Sequence, residues 1–224
     1  MIKRLLATFA VAVFSVAVGI FAFSANEVEA QDYSGHSVVL GYAEIITDPV
    51  SGEAGRVEYF RQDLGNGQLD HDFVYGDPRR AQFNGGNAGI TFAVNTGFQS
   101  ADANLTDQVG WLYNSIYAWD NLQCSTLGLT ENGIAPGTQG VVDTYFTTGV
   151  IPNWYADITQ VGFLGQSAIF PAGTSTLGVT YTLFWQDANG NLTDIDGNGK
   201  IDIAFREIYY NDQYEWADNG LEGT

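Results

Sequence analysis

The alternation of apolar and polar residues divides the chain into an apolar leader, a series of short strands and one amphipathic helix. The leader is an uncharged apolar run over residues 5–23, which follows Lys3 and Arg4. Val28-Glu29-Ala30 has the small-residue spacing of a cleavage site, so residues 1–30 are predicted to be a secretory signal peptide. Because the run is long enough to span a bilayer, an uncleaved N-terminal anchor is the alternative.

Beyond the leader, short apolar stretches separated by Gly, Pro and Asn are typical of β-strands. Residues 31–88 are predicted to be a β-rich N-terminal segment, with strands at 38–46 and 57–60. Residues 89–224 are predicted to form the larger part of the fold. Its predicted strands are 90–94, 126–130, 141–146, 156–164, 178–185 and 201–210.

One stretch changes from strand-like alternation to helical spacing. Its apolar residues recur at intervals of 4, 3, 4 and 3, at Leu105, Val109, Leu112, Ile116 and Trp119. This spacing predicts one long α-helix, with an N-cap signal at Asn104 and Asp107 and with Trp119 buried against a sheet. Tyr113, Tyr117 and Trp119 could instead form a sugar-stacking platform, but aromatic residues at helical spacing usually belong to a core. The predicted fold class is α+β, a twisted mixed sheet with one long helix packed on it, preceded by the β-rich segment.

The charge of the chain limits its partners. Eight Lys and Arg residues against 26 Asp and Glu residues give a formal net charge of −18. Such a surface repels phosphate backbones, so nucleic acid is excluded as an expected partner. With aromatic residues at 14%, the composition indicates a folded, exported protein that has no membrane contact after signal cleavage. The single Cys124 has no internal disulfide partner and is predicted to be a buried thiol.

A short acidic loop near the C-terminus has the spacing of a calcium site. Oxygen ligands or a backbone carbonyl fall at alternate positions of this loop, at Asp194, Asp196, Asn198, Lys200 and Asp202. This is the pattern of an EF-hand calcium loop through its ninth position. The twelfth position is Phe205, so the last ligand is expected from Asp202, Glu207 or water. We predict bound Ca²⁺ with a structural role; the alternative is a metal-free Asn/Asp/Gly turn.

Several short motifs occur in an order that resembles a known family. They are a strand at 89–94, Ala118-Trp119-Asp120 in the helix, Ala156-Asp157-Ile158 at the start of a strand, and Asp202-Ile203 followed by 207–212 and Trp216. Over residues 89–216 the chain resembles the N-terminal part of a matrixin-like metzincin zinc metallopeptidase. The resemblance implies a tryptophan-bearing helix packed under a twisted mixed sheet. It also implies an antiparallel edge strand at residues 177–183 that can pair with an extended peptide; the alternatives are an edge strand with no ligand and a strand already paired within the chain.

The catalytic part of that family is missing from this sequence. A metzincin binds zinc through a helix reading HExxHxxGxxH, whereas this chain has only His36 and His71, neither in such a motif. Each histidine is predicted to be a surface or turn residue. Zinc is therefore expected for the family but has no ligands here, and the chain is predicted to be inactive, as a truncated reading frame or a natural inactive relative. The alternative function is a calcium-stabilised extracellular binding or adhesion module that presents aromatic loops to glycan or protein.

Overall fold

The computed structural model describes residues 35–60, 71–102, 106–121, 128–135 and 140–216. Its strands are β1 (Ser37–Thr47), β2 (Arg56–Tyr59), β3 (His71–Asp72), β4 (Ile90–Phe98), β5 (Leu129–Ala135), β6 (Ile158–Leu164), β7 (Thr176–Gln186) and β8 (Ile201–Asn211). Its α-helices are α1 (Gln108–Asp120) and α2 (Val141–Thr148), and a short 3-10 turn covers Pro49–Ser51. The fold is therefore a mixed α and β fold.

The eight strands form one mixed sheet in the order β2-β1-β7-β8-β6-β4-β5, with β3 added alongside β8. Strands β5, β4, β6 and β8 run parallel to their neighbours among these four. Strand β7 is antiparallel to β8 and to β1, and β1 is antiparallel to β2. The short β3 pairs with β8 in parallel, so that His71 lies opposite Ile201 and Asp72 opposite Asp202.

The helices α1 and α2 lie on opposite faces of this sheet. Trp111 of α1 contacts the ring of Tyr210, and the backbone N–H of Asp143 in α2 donates to the hydroxyl of Tyr209. Because adjacent residues of a strand point to opposite faces, these two contacts assign the helices to different sides of β8. The larger core cluster lies on the α2 side, and it includes Trp154, Val161, Phe170, Leu183, Trp185, Phe205 and Tyr209.

The predicted helix at residues 105–122 corresponds to α1. Leu112 and Ile116 are buried, Asn114 is exposed, and Asp107 accepts the N–H of Gly110 in the first turn at 2.9 Å. Tyr113 and Tyr117 contact the ring of Phe92 with centroid distances of 6.0 and 5.5 Å. The helical spacing therefore identified the side of α1 that contacts the sheet. Asn104, Leu105, Cys124 and the predicted signal peptide, and also the side chain of Trp119, lie outside what the structure describes.

The predicted strand at 141–146 is wrong, because these residues form α2. The carboxylate of Glu207 accepts the backbone N–H groups of Val141 and Val142 at 2.8 and 2.7 Å, which satisfies donors that a helix N-terminus leaves unpaired. At the other end, Gly149 adopts a left-handed conformation with φ of 75° and donates to the carbonyl of Tyr145. A residue from a distant strand thus stabilises a helix in a sequence of Val, Tyr and Phe that favours a strand.

The predicted sheet edge at 177–183 is also wrong, and the alternative, a strand already paired within the chain, is the arrangement observed. These residues belong to β7, which is hydrogen-bonded to β8 on one side and to β1 on the other. The backbone groups that an extended peptide would need are therefore already paired within the chain. Among the described strands, the ends of the sheet are β2 and β5. The alternation of Leu177, Val179, Tyr181 and Leu183 gives the strand and its faces, but it carries no information about which strands lie beside it.

The described helices include none that is long and apolar enough to cross a membrane.

Candidate metal centre

The acidic loop brings three carboxylates together just before β8. Oxygen atoms of Asp194, Asp196 and Asp202 all lie within 4.8 Å of one another. Asp194 and Asp196 are exposed, whereas Asp202 is fully buried. The predicted ligands at the first, third and ninth positions of the loop thus converge on one point, which a single cation could contact.

The loop turns sharply through its own backbone N–H groups. Asp194 accepts the N–H of Asn198 at 3.0 Å and that of Gly199 at 2.8 Å. The side-chain oxygen of Asn198 in turn accepts the N–H of Lys200 at 2.8 Å. Gly197 and Gly199 adopt φ values of 69° and 84°, in the left-handed region that glycine enters without strain. These contacts hold the side-chain oxygens of Asp194 and Asn198 on the inner side of the turn.

The buried Asp202 anchors the loop to the rest of the fold. One of its oxygens, Oδ2, accepts hydrogen bonds from Arg79 at 2.6 Å and from the Thr193 hydroxyl at 2.7 Å. Arg79 also pairs with Asp77 at 2.7 Å, and its guanidinium lies over the ring of Trp185. The N–H of Ile195 lies between the two oxygens, at 3.0 Å from Oδ2 and 3.2 Å from Oδ1, and Oδ1 accepts no other hydrogen bond from the described residues. Asp202 therefore has one oxygen committed to a buried ion pair and a second that can contact a cation.

A carboxylate outside the predicted ligand set also reaches this loop. Asp72 of β3 accepts hydrogen bonds from the side-chain nitrogens of Asn198 at 3.0 Å and Lys200 at 3.1 Å, through its Oδ2. Its Oδ1 is buried and has no hydrogen-bond partner among the described residues. The parallel pairing of β3 with β8 brings Asp72 here from 126 positions away from Asn198. No local sequence pattern gives this pairing, because the two segments are distant in the chain.

The remaining predicted ligand, Glu207, is not part of this centre. It lies further along β8, where it accepts the N–H groups at the start of α2 and the Tyr209 hydroxyl. Burial raises the pKa of its carboxyl to about 7. Glu207 thus stabilises a helix on the α2 side of the sheet, and the prediction that it supplies the last loop ligand is wrong.

His71 lies next to the loop but belongs to an aromatic cluster. Its Nε2 is 2.5 Å from the hydroxyl of Tyr42, and its ring lies 5.7 Å from that of Phe184. Because it is half-buried in β3, His71 is not the surface or turn residue that the sequence predicted. Its packing between β1 and β7 helps to hold β3, and with it Asp72, beside β8.

A second buried ion pair supports the segment between β3 and β4. Arg80 and Asp157 are both fully buried and lie 2.6 Å apart. Asp157 also accepts the backbone N–H and the hydroxyl of Thr91, at 2.8 and 3.0 Å. The aspartate of the Ala156-Asp157-Ile158 motif therefore has a structural role, joining the entry of β6 to β4 and to the segment before it.

Among the described residues, the group Asp194, Asp196 and Asp202 is the one set of three or more His, Cys, Asp or Glu side chains close enough to share a metal ion. The chain matches none of the family models, curated proteins or solved structures with which it was compared. The acidic loop is thus the feature of the fold whose chemistry bears most directly on function.

Proposed function

We propose that this chain is a secreted, calcium-stabilised domain with the framework of a matrixin-like metallopeptidase, and that the sequence given has no peptidase activity. The observation that carries the proposal is the convergence of Asp194, Asp196 and Asp202 within 4.8 Å. Calcium takes six to eight oxygen ligands, and carboxylate, amide and carbonyl oxygens are the ones it prefers. The proposed ligands are the side chains of Asp194, Asp196, Asn198 and Asp202 and the backbone carbonyl of Lys200.

We assign Asp72 to the place of the carboxylate that an EF-hand supplies at its twelfth position. Its Oδ2 contacts Asn198 and Lys200, and its buried Oδ1 has no partner within the described part of the chain. The ligand that the loop sequence lacks would thus come from β3 instead of from Glu207. This assignment joins the N-terminal strands to the loop through the cation.

Electrostatic repulsion gives calcium its stabilising effect in this proposal. Two unit negative charges 4.8 Å apart repel each other by about 1 to 3 kcal/mol at effective dielectric constants of about 80 to 20. Lys200 and Arg79 offset part of this repulsion, but Arg79 is shared with Asp77. A divalent cation between the carboxylates replaces the repulsion by attraction, so binding favours the folded state.

The arrangement around α1 supports the metallopeptidase framework over a binding module. A binding or adhesion module would be expected to form a sandwich of two sheets, with residues 105–122 as a peripheral element. The described strands form one sheet, and α1 packs on it through Leu112 and Ile116, beside β4 and β6. We therefore propose an α+β domain whose β-rich N-terminal segment precedes a matrixin-like sheet and helix.

The pairing of β1 with β7 supports the absence of peptidase function. In the family that the sequence resembles, the strand equivalent to β7 binds extended substrate. In this chain that position is taken by β1, so substrate has no free strand edge at β7. The missing HExxHxxGxxH motif gives the same expectation from chemistry, because this motif supplies the three histidine ligands and the glutamate base in that family, and the chain has only two histidines.

Thermal unfolding of the purified protein in calcium and in EDTA tests the calcium centre. Calcium at 100 times its dissociation constant should add about 2.7 kcal/mol to the free energy of unfolding. Asp194→Asn, Asp196→Asn and Asp72→Asn should each reduce this gain. The matched control is Asp187→Asn, because Asp187 closes the neighbouring turn through hydrogen bonds to Asn189 and Asn191, outside the proposed centre.

A melting temperature that is the same in calcium and in EDTA would refute the centre. If the Asp72 variant keeps the full calcium response while the Asp194 and Asp196 variants lose it, Asp72 is not a ligand. Peptidase activity is a separate readout. Zinc-dependent cleavage of a peptide library by the purified chain would overturn the inactive assignment and leave the calcium assignment standing.

A further inference from the structure

A cleft of about 590 Å³ opens between the β2 end of the sheet and the loop before β7. Its apolar walls come from β1, β7, α2, that loop and the residue that follows β2, through Ile45, Val179, Phe146, Ile169 and Phe60. Ligand pockets for small molecules have volumes of about 300 to 1,000 Å³ and mostly apolar walls. In size and lining, the cleft therefore falls within the range of a small-molecule site.

The cleft follows from the way that β1 and β2 extend the sheet beyond α2. On β2, Arg56 and Glu58 line the cleft together with Phe60 just beyond its end, because alternate residues of an extended strand share one face. Phe146 near the end of α2 packs edge-on against Tyr181 at 5.7 Å and forms the side nearest the helix. The sheet thus provides a floor, and α2 and the loop before β7 provide opposing walls.

One polar group in this lining is the hydroxyl of Tyr181. The residue as a whole is only 6% exposed, but its hydroxyl is not among the buried side-chain atoms that lack a partner, and it makes no hydrogen bond to another residue that the structure describes. Burial raises the pKa of Tyr181 well above its usual value, so the hydroxyl keeps its proton at every physiological pH. The Tyr181 hydroxyl is therefore available as a donor to a molecule in the cleft.

The charges at the rim indicate what kind of molecule fits. Arg56 and Glu58 form an exposed ion pair at 3.1 Å, so the charged side chains that line the cleft neutralise each other. A charged ligand would find no unpaired counter-charge among the lining residues. A neutral ligand with one hydrogen-bond acceptor would match both the apolar walls and the Tyr181 donor.

We propose that this cleft binds a small, neutral, largely apolar molecule whose carbonyl or ether oxygen accepts a hydrogen bond from the Tyr181 hydroxyl. The inference goes beyond the calcium-stabilised role and shares no residue with the loop at 194–202. Binding to the cleft and binding of calcium can therefore fail separately.

Fluorescence titration with prodan, a neutral naphthalene ketone whose emission shifts in apolar surroundings, tests this site. The matching naphthylamine without the ketone serves as the comparison ligand. We expect saturable binding at one site, in calcium and in EDTA alike wherever the protein is folded by circular dichroism. Tyr181→Phe should weaken binding of the ketone about five- to tenfold, the equivalent of one hydrogen bond, and leave binding of the naphthylamine unchanged.

Two further variants separate the cleft from the rest of the surface. Tyr59→Phe removes a hydroxyl from the other face of β2 and should leave both affinities unchanged. Ala168→Trp adds a large side chain at an exposed position of the cleft wall and should abolish binding of both ligands without opening the core.

Absence of saturable prodan binding would overturn the proposal, and so would binding that Ala168→Trp leaves intact. Equal loss of both ligands in Tyr181→Phe would overturn the role of its hydroxyl as a donor.

Discussion

Replacing Glu207 by glutamine should change how the stability of this domain depends on pH. The carboxyl of Glu207 is 1% exposed, and burial, its largest influence, raises its pKa to about 7 from the usual 4.5. Nearby Asp143 acts in the same direction. Hydrogen bonds from the Tyr209 hydroxyl and from the N–H groups of Val142 and Val141 act in the opposite direction but do not cancel the effect of burial.

The sign of the effect follows from which state binds the proton more tightly. The pKa of Glu207 is higher in the folded state than in the unfolded state. Its stabilising contribution to the free energy of unfolding is therefore fully present below about pH 4.5. It is lost as pH rises through about 7. A difference of about 2.5 pH units, at 1.36 kcal/mol per unit, corresponds to a loss of about 3 kcal/mol at most. Glutamine does not titrate, so the variant should lack this loss.

Urea unfolding followed by tryptophan fluorescence measures the difference. Between pH 5 and pH 8 the wild-type free energy of unfolding should fall by about 2 to 3 kcal/mol relative to Glu207→Gln. With a urea dependence of about 2 kcal/mol per molar, the wild-type midpoint should fall by about 1 M relative to the variant. Both proteins keep the acidic loop, so saturating calcium and the comparison between them remove its contribution.

The offset between the two proteins at one pH is less informative than its change with pH. The amide of glutamine places a donor beside the N–H groups of Val141 and Val142, which should cost about 1 kcal/mol at pH 5. Parallel pH profiles would refute the reasoning. If the wild type instead gained stability relative to the variant with rising pH, the hydrogen bonds and the N-terminus of α2, and not desolvation, would control this carboxyl.

Two buried contacts give further predictions. Leu112→Ala should lower the free energy of unfolding by about 2 to 4 kcal/mol, because Leu112 is buried where α1 meets the sheet, whereas Asn114→Ala on the exposed face should change it by less than about 0.5 kcal/mol. Equal shifts in melting temperature for this pair would contradict the described orientation of α1. Asp157→Asn should cost about 3 to 5 kcal/mol in urea unfolding because it leaves the Arg80 guanidinium buried without a counter-charge, and adding Arg80→Met should recover much of the loss. A silent Asp157→Asn would show that the ion pair does not hold this segment.

Local patterns in the sequence predicted the elements whose stability depends on their own residues. The alternation within 178–185 and the apolar run within 201–210 gave β7 and β8, and helical spacing gave the buried face of α1. Such periodicities report which faces of an element are apolar, and those faces are the ones that become buried. The acidic loop could be predicted for the same reason, because the residues proposed as its ligands are close together in the sequence.

The errors concern features that depend on residues far away in the chain. Residues 141–146 have the composition of a strand, and the carboxylate that stabilises them as a helix comes from Glu207 on β8. Asp72 lies at the loop because β3 pairs with β8. The residues next to Asp72 in the sequence have no pattern that indicates a metal-binding role. The pairing of β7 with β1 is of the same kind, since register and neighbour are set by tertiary contacts.

The N-terminal strands β1 and β2 also cover an edge of the sheet that would otherwise be unpaired. If the sheet ended at β7, its edge would be a strand of eleven residues, most of which are buried in the present fold. A long, apolar edge of this kind favours pairing with other chains. Strand β1 pairs along nearly all of β7, and β2 in turn covers four residues of β1. Among the described strands, the new edge is β2, which is only four residues long, is exposed throughout and carries Arg56 and Glu58. Short length and charge are the means by which natural sheets protect an edge, so the segment that pairs along β7 also gives the described sheet a short, charged end.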